Sequence, residues 1–275
     1  MKADRERFLQ WPKPLLQNKR LLWQLSQREV QGRYRGSMLG WGWSLATPLL
    51  MLAVYTFVFA KIFQARWPET VDRGPLAFSI NLFAGLIVFG IFAETANRAP
   101  NLVLDNSNLV TKVVFPLEIL PGVVVGAALF HGCTSLGILI LFQLISGGIT
   151  AVPITILWIP IVWIPLVTGC LGLGWMLSAL GVYLRDLGQI TGVTVNLLMF
   201  MSAVFYPVSA LPEQWRPLLQ LNPLMTIIQQ TRRVAIDGHP PSVTYLIIGS
   251  FLGYLACSVS LRGFRKASRG FADVL

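Results

Sequence analysis

Long apolar stretches alternate with short polar ones along this chain, and the apolar stretches have membrane-crossing length. A helix needs about 20 mostly apolar residues to span the hydrocarbon core. Six segments meet that need, at about 38–62, 76–97, 119–145, 153–181, 189–207 and 243–261. The expected fold is all-α: a polytopic membrane protein with six transmembrane helices. Residues 1–37 form a polar, basic lead, and 38–275 form one membrane domain with no room for a second, soluble one.

The lead predicts an amphipathic helix over 15–34. On a helical wheel Leu16, Trp23, Val30 and Tyr34 share one face, opposite Gln17, Gln24, Arg28 and Gln31. Such a helix rests in the headgroup plane, with Lys19 and Arg33 snorkelling from the edge of its apolar face. The join between Arg28, Arg33, Arg35 and the apolar run after Ser37 marks a membrane boundary, its charged side in the cytoplasm.

Within the spans, Gly36 and Gly40, Gly122 and Gly126, and Gly249 and Gly253 are spaced for close helix packing. Pro48 is placed to kink the first span. Trp41, Trp43, Tyr55, Phe57 and Phe59 load that span with rings, either as interfacial anchors or as a surface for sugar C–H faces. Glu94 and Arg98 are four apart, either as a local ion pair or as a contact to a cytoplasmic partner. The polar loop 99–118 predicts a short helix capped by Asn106 or Ser107, running through Val114 and ended by Pro116. His131, alone in the third span, reads as a hydrogen-bonded packing residue rather than a proton relay. Pro153, Pro160 and Pro165 make the outer part of the fourth span irregular, and Arg185-Asp186 lies in a tight inner turn after it.

The segment 208–242 is neither a clean span nor a polar loop. Leu211–Leu221 and Leu224–Val234 each predict a half-length helix, re-entrant or interfacial, divided by Asn222-Pro223. Arg232 and Arg233 break the local charge pattern on that side. They meet an anionic substrate or lipid headgroup, or else pair with Asp237 or Glu213.

Composition agrees with a membrane protein: 54% of the 275 residues are hydrophobic and 12% charged, about half the usual charged share of soluble domains. The net charge of +10 is concentrated before the first span, after the last and in the inner loops. That is the positive-inside bias, with both termini cytoplasmic, and it argues against nucleic-acid binding. Cys133, Cys170 and Cys257 fall in apolar spans and read as small packing residues. The first thirty-odd residues lack the pattern of a cleaved signal peptide.

Several chemistries are missing from the sequence. There is no G-x-x-x-x-G-K-[ST], so the chain has no phosphate-cradling loop. Neither a metal-ligand spacing nor a nucleophile elbow occurs, so no catalytic or metal site is expected. Buried carboxylates of the kind used by ion-coupled carriers are absent from the spans. A transporter so built draws its energy from a partner, or is passive.

Four stretches in order carry a resemblance: RYRGSMLGWGWSLATPLL, NLVTKVVFPLEILP, YLRDLGQI and LPEQWRPLLQLNPLMTIIQQTRRVAIDG. With the spans they cover nearly the whole chain. Together they resemble the permease subunit of ABC-2 type polysaccharide exporters, most of all O-antigen or lipopolysaccharide export permeases. The resemblance implies an ABC-2 exporter fold in a bacterial inner membrane. It further implies a homodimer of this permease over two copies of a separate ATPase, which uses the ATP and Mg; this chain itself would bind no cofactor. The loop 99–118 would couple to the motor through Asn101, Asp105, Asn108, Lys112, Phe115 and Pro116, with a second contact at Arg185 and Asp186. A path lined by the first and fifth spans would carry Trp41, Trp43, Tyr55, Phe59, Phe205 and Tyr206. An outer gate in 208–242 would use Trp215, Asn222, Pro223, Arg232 and Arg233.

The expected function is export of an undecaprenyl-linked O-antigen polysaccharide. Capsule or teichoic-acid export is the alternative within the class. A membrane-embedded glycosyl- or acyltransferase is the alternative outside it, disfavoured because Glu94, Asp105, Glu118 and Asp186 stand singly rather than as paired carboxylates. A passive channel, needing no ATPase, is the third rival.

Overall fold

The structure is a computed structural model that describes residues 11–63, 67, 76–111 and 115–274. Among these residues it is all-helical. Thirteen helices carry the description: α1 Pro12–Gln17, α2 Lys19–Tyr34, α3 Trp43–Tyr55, α4 Ala77–Arg98, α5 Ser107–Thr111, α6 Leu120–Gly147, α7 Ile159–Val162, α8 Ile164–Tyr183, α9 Leu187–Met201, α10 Arg216–Gln220, α11 Pro223–Ala235, α12 Val243–Ala267 and α13 Phe271–Val274.

Five helical stretches are long and apolar enough to cross a membrane: Gly40–Phe59, Ala77–Asn101, Leu117–Gly147, Ile154–Tyr183 and Val243–Val274. The expected fifth span, 189–207, is where the structure differs. Its helix, α9, has 15 residues and so rises about 22 Å at 1.5 Å per residue, short of the roughly 30 Å hydrocarbon core. The chain then turns through 202–206 and enters a short 3-10 helix, Val208–Ala210. Prolines shape the fourth span as expected: a 3-10 start at Ile154–Trp158 gives way to α7 and α8, with Pro160 and Pro165 in their first turns, where a missing N–H costs nothing.

The lead is a broken helix, not a single one over 15–34. Asn18 separates α1 from α2, its amide donating to the Pro14 carbonyl at 2.9 Å. Of the expected face, Val30 is buried and Tyr34 meets His131, but most of the packing comes from other residues. Leu15 and Leu22 lie on Gly122 and Ser26 lies on Gly126, so the small residues of α6 receive the lead rather than another span. Leu16 and Trp23 stay exposed, leaving that edge to an interface. Gly36 and Gly40 are not a packing pair either. They take φ of 83° and 48°, left-handed values that cost glycine little, and bend the chain from α2 into the first span.

α4 is the central helix: 67% of its spanning window is buried, against 11% for the first span. It packs on α6, α11 and α9, while α12 runs along α8, with Gly249 and Gly253 against Pro165 and Thr168. Trp175 is fully buried where α1, α6 and α8 converge, donating to the Glu118 carbonyl at 2.8 Å with Trp11 edge-on to its ring. α3 and α9 remain the least covered by the chain's own packing.

Candidate functional site

The loop after α4 and the turn after α8 come together at one end of the bundle. Gly181 runs against Pro100, so close that any Cβ there would overlap the Pro100 carbonyl oxygen. The Asn101 amide lies beside Gly188, at a distance of 3.5 Å from where a Cβ would stand. Asp105, Asn108, Arg185 and Asp186 are exposed. Arg185 and Asp186 form no ion pair with each other or with another described residue, in contrast to the pair that their adjacency suggests. Phe115 packs against the small apolar cluster of Leu102, Leu120 and Val124, and Pro116 precedes the turn into α6. Helix α5 is described over Ser107–Thr111; Lys112 and the expected run to Val114 lie outside the described residues. A cavity of about 830 Å³ opens here between α2 and this loop, lined by Arg28, Glu29, Arg35, Asp105, Asn108 and Trp41 among others.

Beside it, α2 is bolted to the bundle by charge. Glu94 on α4 meets Arg33 of α2 at 2.8 Å and His131 of α6 at 2.9 Å, while its expected partner Arg98 stands farther off, at 3.8 Å. Arg98 instead binds Glu29 of α2. His131 therefore has the carboxylate partner that its isolation in the sequence argued against, because Glu94 reaches it from a different helix. Burial pushes the neighbouring Tyr34 phenol above its ordinary range, so it stays neutral, edge-on to the His131 ring. No sequence window pairs Arg33 with Glu94 or His131; both contacts depend on how α2, α4 and α6 pack.

The expected path residues fall into two groups along the first span. Near its start, Trp41 sits edge-on to Phe130, and Trp43 lines a largely apolar cavity of about 680 Å³ with Tyr55, Pro48 and Phe83. At its far end, where the helix widens into π-type turns over Thr56–Ile62, Phe59, Phe205 and Phe200 stack in turn, with Tyr55 tilted against Phe59. The centroid separations from Tyr55 onward are 6.2, 6.1 and 5.5 Å. This stack joins the far ends of α3 and α9. Tyr206 donates its hydroxyl hydrogen to the Phe200 carbonyl at 2.6 Å.

The two half-length helices of 208–242 are present with different bounds. The first shrinks to α10, five residues after the exposed Trp215; the second is α11. Asn222 caps α11, accepting from the Leu224 N–H at 3.0 Å, and Pro223 fills the first helical position. The Asn222 amide also donates to Ser202 Oγ at 2.9 Å, tying α11 to the end of α9. Arg232 is 5% exposed and donates to the carbonyls of Asn81, Ala203 and Val204 at 2.8–2.9 Å, with the Trp67 ring 4.6 Å from its guanidinium carbon. Ala203 holds φ 52°, an uncommon value for a non-glycine residue. Beyond the end of α9 the Ala203 and Val204 carbonyls have left the helix, and Arg232 donates to both. Arg233 is exposed and donates to the Pro240 carbonyl at 2.8 Å. Trp67 lies in a stretch that the sequence presents only as a mixed-charge loop; its isolation between charged residues gives no signal of burial.

Among the described residues there is no cluster of three or more His, Cys, Asp or Glu able to hold a metal ion. The model of the ABC-2 type transporter family matches residues 20–235, which span α2 to α11. Relatives extend over most of the chain. An O-antigen export system permease protein RfbA of Klebsiella pneumoniae is 26% identical over 93% of this chain and 95% of its own length. A protein of the same name in Myxococcus xanthus is 28% identical, covering 85% and 86%. The polysialic acid transport protein KpsM of Escherichia coli is 24% identical, covering 83% and 84%. On this evidence of length, order and helical layout, the chain belongs to the ABC-2 type transporter family.

Proposed function

We propose that the protein is the membrane permease of an ATP-driven exporter that moves a lipid-linked O-antigen polysaccharide across the bacterial inner membrane. The observation that carries this reading is the near-full-length similarity to O-antigen export permeases, in a chain whose sequence has no nucleotide-binding loop. The end of the bundle bearing α2 is the cytoplasmic one, in keeping with the basic residues gathered there. Both termini then lie inside, and α9 with the turn after it makes the sixth crossing.

A polar glycan cannot enter hydrocarbon without losing water from every hydroxyl. Two copies of the permease supply a wet path between their least covered helices, α3 and α9. Two copies of a separate ATPase bind beneath, against the adjoining loops at 99–111 and 184–188. ATP closure there biases the membrane helices between two packings, so the permease does no chemistry. The short α10 and α11 border the outer mouth and serve as its gate. Similarity to the polysialic acid transport protein KpsM supports a second polysaccharide cargo class, of the polysialic acid kind.

The test is affinity purification of the full chain from its native host. A stoichiometric soluble ATPase with a phosphate-binding loop is the expected companion, and deletion of the permease should leave lipid-linked O-antigen on the cytoplasmic side. Recovery of the chain without any ATPase, together with normal surface O-antigen after deletion, overturns the reading.

A further inference from the structure

Polar side chains within the spans are, with few exceptions, satisfied locally. Thr95, Thr134, Ser135, Thr168, Thr191 and Thr194 each donate to a carbonyl four residues back. Gln143 reaches the Ala235 carbonyl across helices at 2.9 Å. Some polar groups depart from this pattern: the Thr56 and Ser79 hydroxyls are buried without a partner, whereas Thr47 on α3 and Asn196 on α9 are exposed in mid-span and hydrogen-bond to no described residue. Thr47 and Asn196 sit on the two helices that the chain's own packing covers least.

Depth makes this costly. Asn196 lies about 14 Å beyond Leu187, close to the middle of a roughly 30 Å core, and Thr47 lies about 10 Å beyond Gly40. An amide facing lipid tails at that depth forfeits its hydrogen bonds. Polar groups retained in spans face protein or a water-filled cavity. Around Asn196 the exposed face is otherwise apolar: Val193, Leu197 and Phe200. Around Thr47 it is Leu50, Met51 and Val54 on one side, and on the other the 680 Å³ cavity that Thr47 lines with Arg33, Tyr34, Ser135 and His131. An apolar wall with sparse hydrogen-bonding points suits a chain that must slide, because dense binding would hold it.

We propose that Thr47 and Asn196 are the mid-membrane hydrogen-bonding contacts for the sugar hydroxyls of the passing glycan, with the aromatic stack of Phe59, Phe205 and Phe200 as the next surface towards the exit. This rests on the exporter reading above and adds the residues that touch the cargo.

The test uses the full permease with its ATPase in lipid nanodiscs, titrated with undecaprenyl diphosphate-linked glycan from the host's O-antigen pool. ATPase stimulation gives a half-saturating concentration and a maximal rate. Asn196→Leu, close in shape but without the amide, should raise the half-saturating concentration about three- to tenfold, the value of one or two lost hydrogen bonds. Asn196→Gln should recover most of it, and Thr47→Val should give a smaller rise. An unchanged half-saturating concentration in Asn196→Leu overturns the proposal and assigns this face to lipid. A fall in the dimer's native mass in Asn196→Leu, also corrected by Gln, overturns it in favour of a hydrogen bond between copies. Wild-type complex that the glycan does not stimulate at all sinks the exporter reading itself, an outcome distinct from either.

Discussion

Arg232 shows how a residue's role depends on what its neighbours lack. As one of two arginines on the expected outer side, it suggested either an anionic substrate or lipid headgroup or a pair with Asp237 or Glu213. Buried among carbonyls, it is the donor that ties the turn after α9 to α4. Replacing it with methionine leaves three carbonyls without that donor, at about 1–3 kcal/mol for each group left unsatisfied. Arg232→Met should therefore lower the melting temperature of the detergent-solubilised protein markedly, while the exposed Arg233→Met changes it little. Ala203→Gly relieves the left-handed φ and should leave stability unchanged or slightly raised, the strain relief opposing the added chain entropy.

At the scale of elements, two joints hold the helices of this end of the bundle together. One is electrostatic: Glu94 links α2 and α6 to α4. Arg33 is 43% exposed and Glu94 13%, so the cluster lies between the surface and buried limits, and Glu94→Gln should cost about 1–2 kcal/mol. Its sharper readout is α2 itself, which should become more accessible to protease at Arg28 and Arg33. The other joint is steric. Gly181→Ala must push the Pro100 carbonyl away, separating the two inner loops. A short thiol crosslinker between Asn101→Cys and Gly188→Cys, with Cys133 replaced by alanine, should react efficiently in the parent and poorly once Gly181→Ala is added. Export should fall in parallel while the protein remains in the membrane.

For the whole molecule, the covering of its helices is uneven. A single copy buries α4 thoroughly and leaves α3 and α9 bare, in keeping with the path proposed between two copies. Disrupting the segment from Lys112 to Pro116 should abolish ATPase stimulation by cargo while leaving the permease inserted, measured as surface O-antigen against membrane-fraction abundance. Normal export in such variants removes that segment from the coupling surface.

Much of this architecture was legible along the chain. Five of the expected spans and the proline-irregular start of the fourth follow from apolar length and from proline's missing N–H. The cap-and-proline start at Asn222-Pro223 follows from local backbone chemistry as well. Those features depend on residues close in sequence, so a single sequence determines them. What only the tertiary structure decided are the pairings between distant segments: Glu94 with Arg33 and His131, Arg232 with the carbonyls after α9, Gly181 with Pro100, and α2 seated on Gly122 and Gly126. Hydrophobic periodicity records that a helix has an apolar face. It does not record which helix meets that face, because that choice belongs to packing, where a carboxylate, a guanidinium or a bare glycine finds its partner across scores of residues.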